Sequence, residues 1–242
     1  MNSILSIIFT ILCCGLAQAK LDIPKGLSKS DRRIALETLG LSTSFKVLGN
    51  PFPLGGFSGL EIGISSEVIP TAEIGSLGSK ATTQGETSYS VLTLGKGLYN
   101  NFDIFVQMAP FSQQEDIRSF GGQLRWGFYQ ATYMPAHIAF VAHANSVSFQ
   151  NEINISSTGY DLVGGFTVDD VTLYIGAGMV ISRGLFIGGT GGITDTGQKE
   201  SETVSDSHFI SGIDLRFNNA FLALELDRYT ESIYSAKLGL RF

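Results

Sequence analysis

Charge is scarce in this sequence. Asp, Glu, Lys and Arg make up 16% of 242 residues, well under the roughly 25% of an ordinary soluble domain. Lys and Arg do not cluster beyond Asp31-Arg32-Arg33, and the net charge is -6, which excludes the concentrated basic face that a nucleic-acid partner needs. There are only two cysteines, Cys13 and Cys14, both in the first apolar stretch. Disulfide stapling and thiolate metal sites are therefore excluded in the rest of the chain. The three histidines, His137, His143 and His208, have no second ligand at helical spacing, so no metal is expected. Nor is a cofactor, because the glycine-rich run FIGGTGGITDTG precedes no helix whose N-terminus would hold a phosphate. After Ala19 no apolar run approaches the roughly 20 residues of a membrane helix. A membrane location would have to be reached with strands.

The first residues, MNSILSIIFTILCCGLAQAK, run apolar from Ile4 to about Ala17 and then offer the small-x-small pattern Ala17-Gln18-Ala19 before Lys20. Residues 1–19 read as a secretory signal peptide, although no Lys or Arg precedes the apolar core. Lipoprotein processing at Cys13 or Cys14 is the alternative, and neither cysteine has the usual small residue before it. Residues 20–56 read as a periplasmic or plug segment. Ser28 or Ser30 suits a helix N-cap, Ile34, Ala35, Leu36 and Leu39 have helical spacing, and Gly40 is a stop. The expectation is a short helix sealing the periplasmic end, followed by an extended connector from Asn50 to Gly56.

From Phe57 the pattern changes to alternating segments of roughly ten residues, the signature of membrane strands. Two hairpins fix their own registers. Around Asn218-Asn219, a two-residue turn pairs Leu215 with Leu222 and Ile213 with Leu224 on one face, and Asp214 with Ala223 and Gly212 with Glu225 on the other. Around Asp169-Asp170 the same device pairs Val168 with Val171, Phe166 with Leu173, Leu162 with Ala177 and Tyr160 with Met179. A one-residue slip in either would mix the faces. Further strands are expected near Phe57–Ile69, Glu86–Leu98, Phe102–Phe111, Arg118–Tyr129, Ala136–Ser146 and Ser232–Phe242. The fold class expected is all-β, an antiparallel up-and-down transmembrane barrel of about ten strands over residues 57–242. Short connections at Tyr99–Asn101, Ala131–Pro135, Asp169-Asp170 and Asn218-Asn219 alternate with long ones near Pro70–Gly85, Val147–Thr158 and Arg183–Ser207. Phe128, Tyr129 and Tyr133 suit an aromatic girdle beside one short turn. A soluble secreted barrel is the alternative; the many glycines on the less apolar faces, Gly165, Gly176 and Gly178 among them, suit a narrow, strongly coiled interior instead.

The last strand places Tyr234, Ala236, Leu238, Leu240 and Phe242 on one face. With the signal segment and the even strand set, this resembles the Gram-negative outer-membrane β-barrel proteins. The resemblance implies an outer-membrane location, lipid as surroundings, and reading of those five residues by the barrel-assembly machinery. A monomer is expected.

With the apolar faces outward, Glu61, Asp103, Gln107, Gln123, Arg125, His143, Asp161, Asp214, Arg216, Glu225, Asp227, Lys237 and Arg241 point into the lumen. Charges of both signs in so narrow a space should pair, and a Glu225–Lys237 bridge across a turn at Thr230–Ser232 is expected. The candidate catalytic group is Asp206, Ser207 and His208, with Asp195 nearby, because a hydroxyl, an imidazole and a carboxylate at an external rim are what a hydrolase needs. Three polar residues where a loop enters a strand are equally what solvent exposure provides. The functional expectation is a non-enzymatic envelope protein presenting its loops for structural or adhesive roles. A narrow pore and a rim hydrolase of protease or lipid A-modifying type are the alternatives.

Overall fold

The computed structural model describes residues 23–79, 86–110 and 117–242. The expected signal peptide at 1–19 lies outside the described residues, as does Phe111 at the expected end of the third strand. The described residues form ten strands: β1 Leu60–Pro70, β2 Glu86–Gly97, β3 Phe102–Met108, β4 Ile117–Gln130, β5 Ala136–Phe149, β6 Ile153–Val168, β7 Val171–Phe186, β8 Glu200–Phe217, β9 Ala220–Arg228 and β10 Ser232–Arg241. Each pairs antiparallel with its neighbour in the chain, and β1 pairs with β10, closing the barrel. At that seam Leu60 N–H donates to Phe242 O at 3.0 Å and Phe242 N–H to Leu60 O at 2.8 Å. Closure matters because an open edge would leave backbone groups unpaired in lipid.

Strand periodicity sorts the side chains. In β3, Asp103, Phe105 and Gln107 are buried while Ile104, Val106 and Met108 are exposed. The same holds in β10, where Lys237 is buried and Tyr234 and Leu240 are exposed. A belt of exposed Ile, Leu, Phe and Val surrounds the whole barrel, a surface that suits hydrocarbon and not water. Tyr99, Phe128, Tyr129 and Tyr133 are exposed at the short-turn end, and Phe102 stacks on Trp126 with ring centroids 5.5 Å apart.

Both hairpin registers are as the sequence predicts: Ile213 pairs with Leu224 and Leu215 with Leu222, and Phe166 pairs with Leu173 and Tyr160 with Met179. The turns use left-handed backbone at Asp169 (φ 51°) and Asn218 (φ 58°), a conformation Asp and Asn tolerate. Three expectations are corrected. Val147–Thr158 is not a long loop, since β5 and β6 are joined by a tight turn at 150–152, and the long connection expected at Arg183–Ser207 is narrower, confined to 187–199 between Phe186 of β7 and Glu200 of β8. In the last hairpin Arg228 pairs with Ser232 and Glu225 with Ser235, so the turn is at 229–231 and Lys237 lies opposite Ala223. The two-residue displacement preserves both faces, and apolar matching therefore does not detect it.

The third correction concerns the helix. α1, Lys29–Leu36, is capped by Ser28, whose Oγ accepts from Asp31 N–H at 3.3 Å while Asp31 Oδ2 accepts from Ser28 N–H at 3.0 Å. It continues into a wider π turn, Glu37–Leu41. This element does not seal the short-turn end. Leu27 bridges Thr194 in the β7–β8 connection, Lys25 pairs with Glu152 in the β5–β6 turn, and Ser79 N–H donates to Lys25 O at 2.8 Å. The helix therefore sits in the mouth at the opposite end. Its apolar face, Ala35, Leu36 and Leu39, joins a cluster with Ile69, Val91, Ile155, Val180 and Phe186, each buried Leu, Ile, Val or Phe contributing about 1.5–3 kcal/mol.

Candidate functional site

Below α1 the chain runs down through the barrel, and the lumen wall holds it mainly by its backbone. Near the helix, Ser157 Oγ donates to Gly40 O at 3.1 Å. Gly40 has no room for a side chain, since a Cβ there would lie 2.9 Å from Ser182 Cβ. Further down, Asn145 Nδ2 donates to Thr43 O at 2.7 Å and Gln123 Nε2 to Lys46 O at 3.3 Å. Glu225 accepts from Val47 N–H at 3.1 Å and from Leu48 N–H at 2.7 Å, and Tyr174 donates its hydroxyl to the same carboxylate at 2.8 Å. Arg125 reaches Val47 O at 3.1 Å and Asn50 O at 2.8 Å. Asp214 accepts from Asn50 N–H at 2.7 Å, and Asp103 from Leu54 N–H at 3.0 Å. At the bottom, Phe52 packs edge-on against His137, centroids 4.9 Å apart, and Gly127 lies where a Cβ would be 2.5 Å from Pro53. Residues 41–54 carry no ladder partner of their own, so these side chains satisfy backbone groups that burial would otherwise strand.

The buried charges fall into two groups. At the short-turn end Glu61 binds Lys237 at 2.6 Å and Arg241 at 2.6 Å, and Arg241 also approaches Asp214 at 3.5 Å. The cations lie over aromatic faces, Arg241 4.8 Å from the Phe221 centroid and Arg125 4.5 Å from Phe105. Deeper toward α1, His208 stands between two carboxylates, with Nε2 2.8 Å from Asp161 and Nδ1 3.3 Å from Asp227. His143 Nε2 is 3.5 Å from the other Asp161 oxygen, and Lys46 Nζ is 3.8 Å from Asp227. The His208 ring stacks on Tyr229 at 4.5 Å. Tyr229, in the β9–β10 turn, has its pKa raised above the ordinary tyrosine range, first by burial.

Of the lumen charges named from sequence, Glu61, Asp103, Arg125, Asp161, Asp214, Glu225, Asp227 and Lys237 are buried, and Arg241 is nearly so. Arg216 is a correction: it is exposed at the short-turn rim, where its Nε donates to Asn218 O at 2.9 Å. The expected Glu225–Lys237 bridge is replaced by Lys237–Glu61, following the register of β10. Sequence reasoning missed Lys46, Glu67 and Arg32, all buried. Lys46 belongs to a segment without strand or helical periodicity, which leaves no pattern from which its facing could be read, whereas Arg32 lies three, four and seven residues before Ala35, Leu36 and Leu39, on the buried stripe of the helix.

The candidate catalytic residues do not converge. Asp206, Ser207 and His208 lie inside β8 rather than at a loop end, so successive side chains point to opposite faces. Ser207 is exposed on the outer wall while His208 is buried in the lumen. Asp206 accepts from Ser207 N–H at 2.8 Å and from the Thr230 hydroxyl at 3.3 Å. Asp195 binds Arg32 at 3.1 Å. Among the described residues no group of three His, Cys, Asp or Glu is arranged to hold a metal.

No protein-family model and no curated protein matches this sequence. Solved structures match at low identity and low TM-score. The N-terminal β-barrel domain of Pseudomonas aeruginosa OprF is 13% identical, with 77% of this chain and 99% of that one covered at a TM-score of 0.36. For Ail, the attachment invasion locus protein of Yersinia pestis, the values are 16%, 76%, 97% and 0.32. For OmpT of Vibrio cholerae, with one loop deleted, they are 12%, 90%, 74% and 0.34.

Proposed function

We propose that this chain is an integral outer-membrane barrel that is closed by its own N-terminal segment and acts, without catalysis, through the end that carries α1 and the longer connections. The observation that supports it best is the occupied lumen. Residues 41–54 occupy the bore, and wall carboxylates and cations bind their amides and carbonyls. Ten strands enclose a bore close to the limit that side chains alone can fill, so one extended segment is enough to close it. By the usual asymmetry of such barrels the short turns at 169–170 and 218–219 face the periplasm and the other end faces outward. That makes the β7–β8 connection, residues 187–199, part of the presented surface.

Single-channel recording of the refolded protein in a planar bilayer tests this. Silence from inserted protein is the expected result; steady discrete steps would replace the closed barrel with the narrow pore. The assembly role of Tyr234, Ala236, Leu238, Leu240 and Phe242 is part of the same proposal. Removing Phe242 takes away both a terminal aromatic and two backbone bonds to Leu60, so outer-membrane incorporation in cells should fall while refolding into detergent is less affected.

A further inference from the structure

In a barrel of ten strands that begins and ends with strands, both chain ends would leave on the periplasmic side. Here the lumenal pass adds one more crossing before β1. Its upper end is tied to three separate connections at the outer mouth: Lys25 to Glu152 of the β5–β6 turn, Lys25 O to Ser79 of the β1–β2 connection, and Leu27 to Thr194 of the β7–β8 connection. Arg32 fastens α1 there as well. It is buried, donates to Leu27 O at 3.0 Å and to Asp195 at 3.1 Å, and approaches Glu202 at 3.2 Å. The lower end reaches the opposite rim, with Leu54 on Asp103 and Pro53 against Gly127, and only there does β1 begin.

We infer that residues 23–33 lie at the extracellular mouth, on the opposite side of the membrane from Phe242, and present Lys29, Ser30 and Arg33 at the cell surface. This rests on the proposal that the chain is an outer-membrane barrel with its longer connections outward. The lumenal pass then works as a tether that carries residues 23–33 outward through the barrel, and α1 forms part of the outer face with Lys29, Ser30 and Arg33 exposed. The outer face is thus built from α1 and the 187–199 connection together, joined by the Arg32–Asp195 ion pair.

The scarcity of cysteine makes the test direct. Cys13 and Cys14 are the sole cysteines of the chain and both fall in the expected signal peptide, so single substitutions give unambiguous labelling sites. Lys29→Cys reports α1, Lys199→Cys the β7–β8 connection, and Asp170→Cys the opposite rim; all three positions are exposed. Intact cells are treated with a bulky membrane-impermeant maleimide, and broken cells and the unsubstituted protein serve as controls. The expected result is equal labelling of Lys29→Cys and Lys199→Cys in intact cells, with Asp170→Cys labelled only after the cells are broken. Labelling of Lys199→Cys without Lys29→Cys would overturn the inference and leave the outer-membrane barrel standing. Labelling of Asp170→Cys without Lys199→Cys would reverse the orientation and overturn both. No labelling of any variant until the cells are broken would overturn the outer-membrane proposal itself.

Discussion

At the scale of single residues, the carboxylates of the lumen have two different jobs, and substitution should separate them. Glu61 neutralises Lys237 and Arg241. Glu61→Gln leaves two buried cations without a full counter-charge and should cost about 3–5 kcal/mol, read as a lower urea midpoint for the refolded protein in detergent. Glu225 instead caps backbone. Glu225→Ala leaves the Val47 and Leu48 amides unpaired, at roughly 1–3 kcal/mol each, and the same urea titration should register the loss. A charge at the mouth behaves differently with pH. Glu231, in the β9–β10 turn, has its pKa raised, first by burial and then by the neighbouring Glu73 carboxylate. The folded state therefore holds this proton more tightly than the unfolded chain does. The contribution favours folding below the ordinary value of 4.5 and is lost as pH rises through the raised folded value. Glu231→Gln should match the parent well below pH 4.5 and become the more stable of the two near neutrality, as judged by urea midpoints at both pH values.

At the scale of elements, α1 is held by packing and by one buried cation. Arg32→Met keeps the aliphatic stem but leaves Glu202 and Asp195 without their partner, so the helix should loosen before the barrel does. Limited proteolysis of the refolded variant should cut near Lys29–Arg33 while the barrel core survives; parent-like resistance would show that apolar packing alone seats the helix. The elements also show where the sequence was legible. The hairpins at 169–170 and 218–219 could be registered because both strands lie within the apolar belt and bulky residues mark one face. The upper part of β8 could not, because its outward residues there are Ser201, Thr203, Ser205 and Ser207. Beyond the hydrocarbon, an outward strand face needs no grease, and a solvated strand of hydroxyl residues reads as loop. The last hairpin was misplaced by two residues for the opposite reason: its faces are right in either register, and only the turn at Tyr229–Glu231 decides.

At the scale of the whole molecule, the path of the N-terminal segment was the least legible feature. An extended chain bound through its amides and carbonyls needs no side-chain periodicity, so neither its direction nor its partners leave a mark on residues 41–54. What the sequence did hold was the complement. Glu61 faces Lys237 and Arg241 across the lumen, while Asp103, Asp214 and Glu225 direct oxygens at the backbone of residues 47–54. The barrel and its plug are in this sense one folding unit, because lumen carboxylates that lose the plug must find water or neutralise. Deleting residues 23–54 should therefore do two things together: lower the urea midpoint of the refolded barrel, and replace silence in a planar bilayer with small, discrete conductance steps as water enters the bore. Conductance without destabilisation would mean that the wall charges are satisfied by water as well as by the plug. Destabilisation without conductance would mean that the emptied barrel collapses rather than opens.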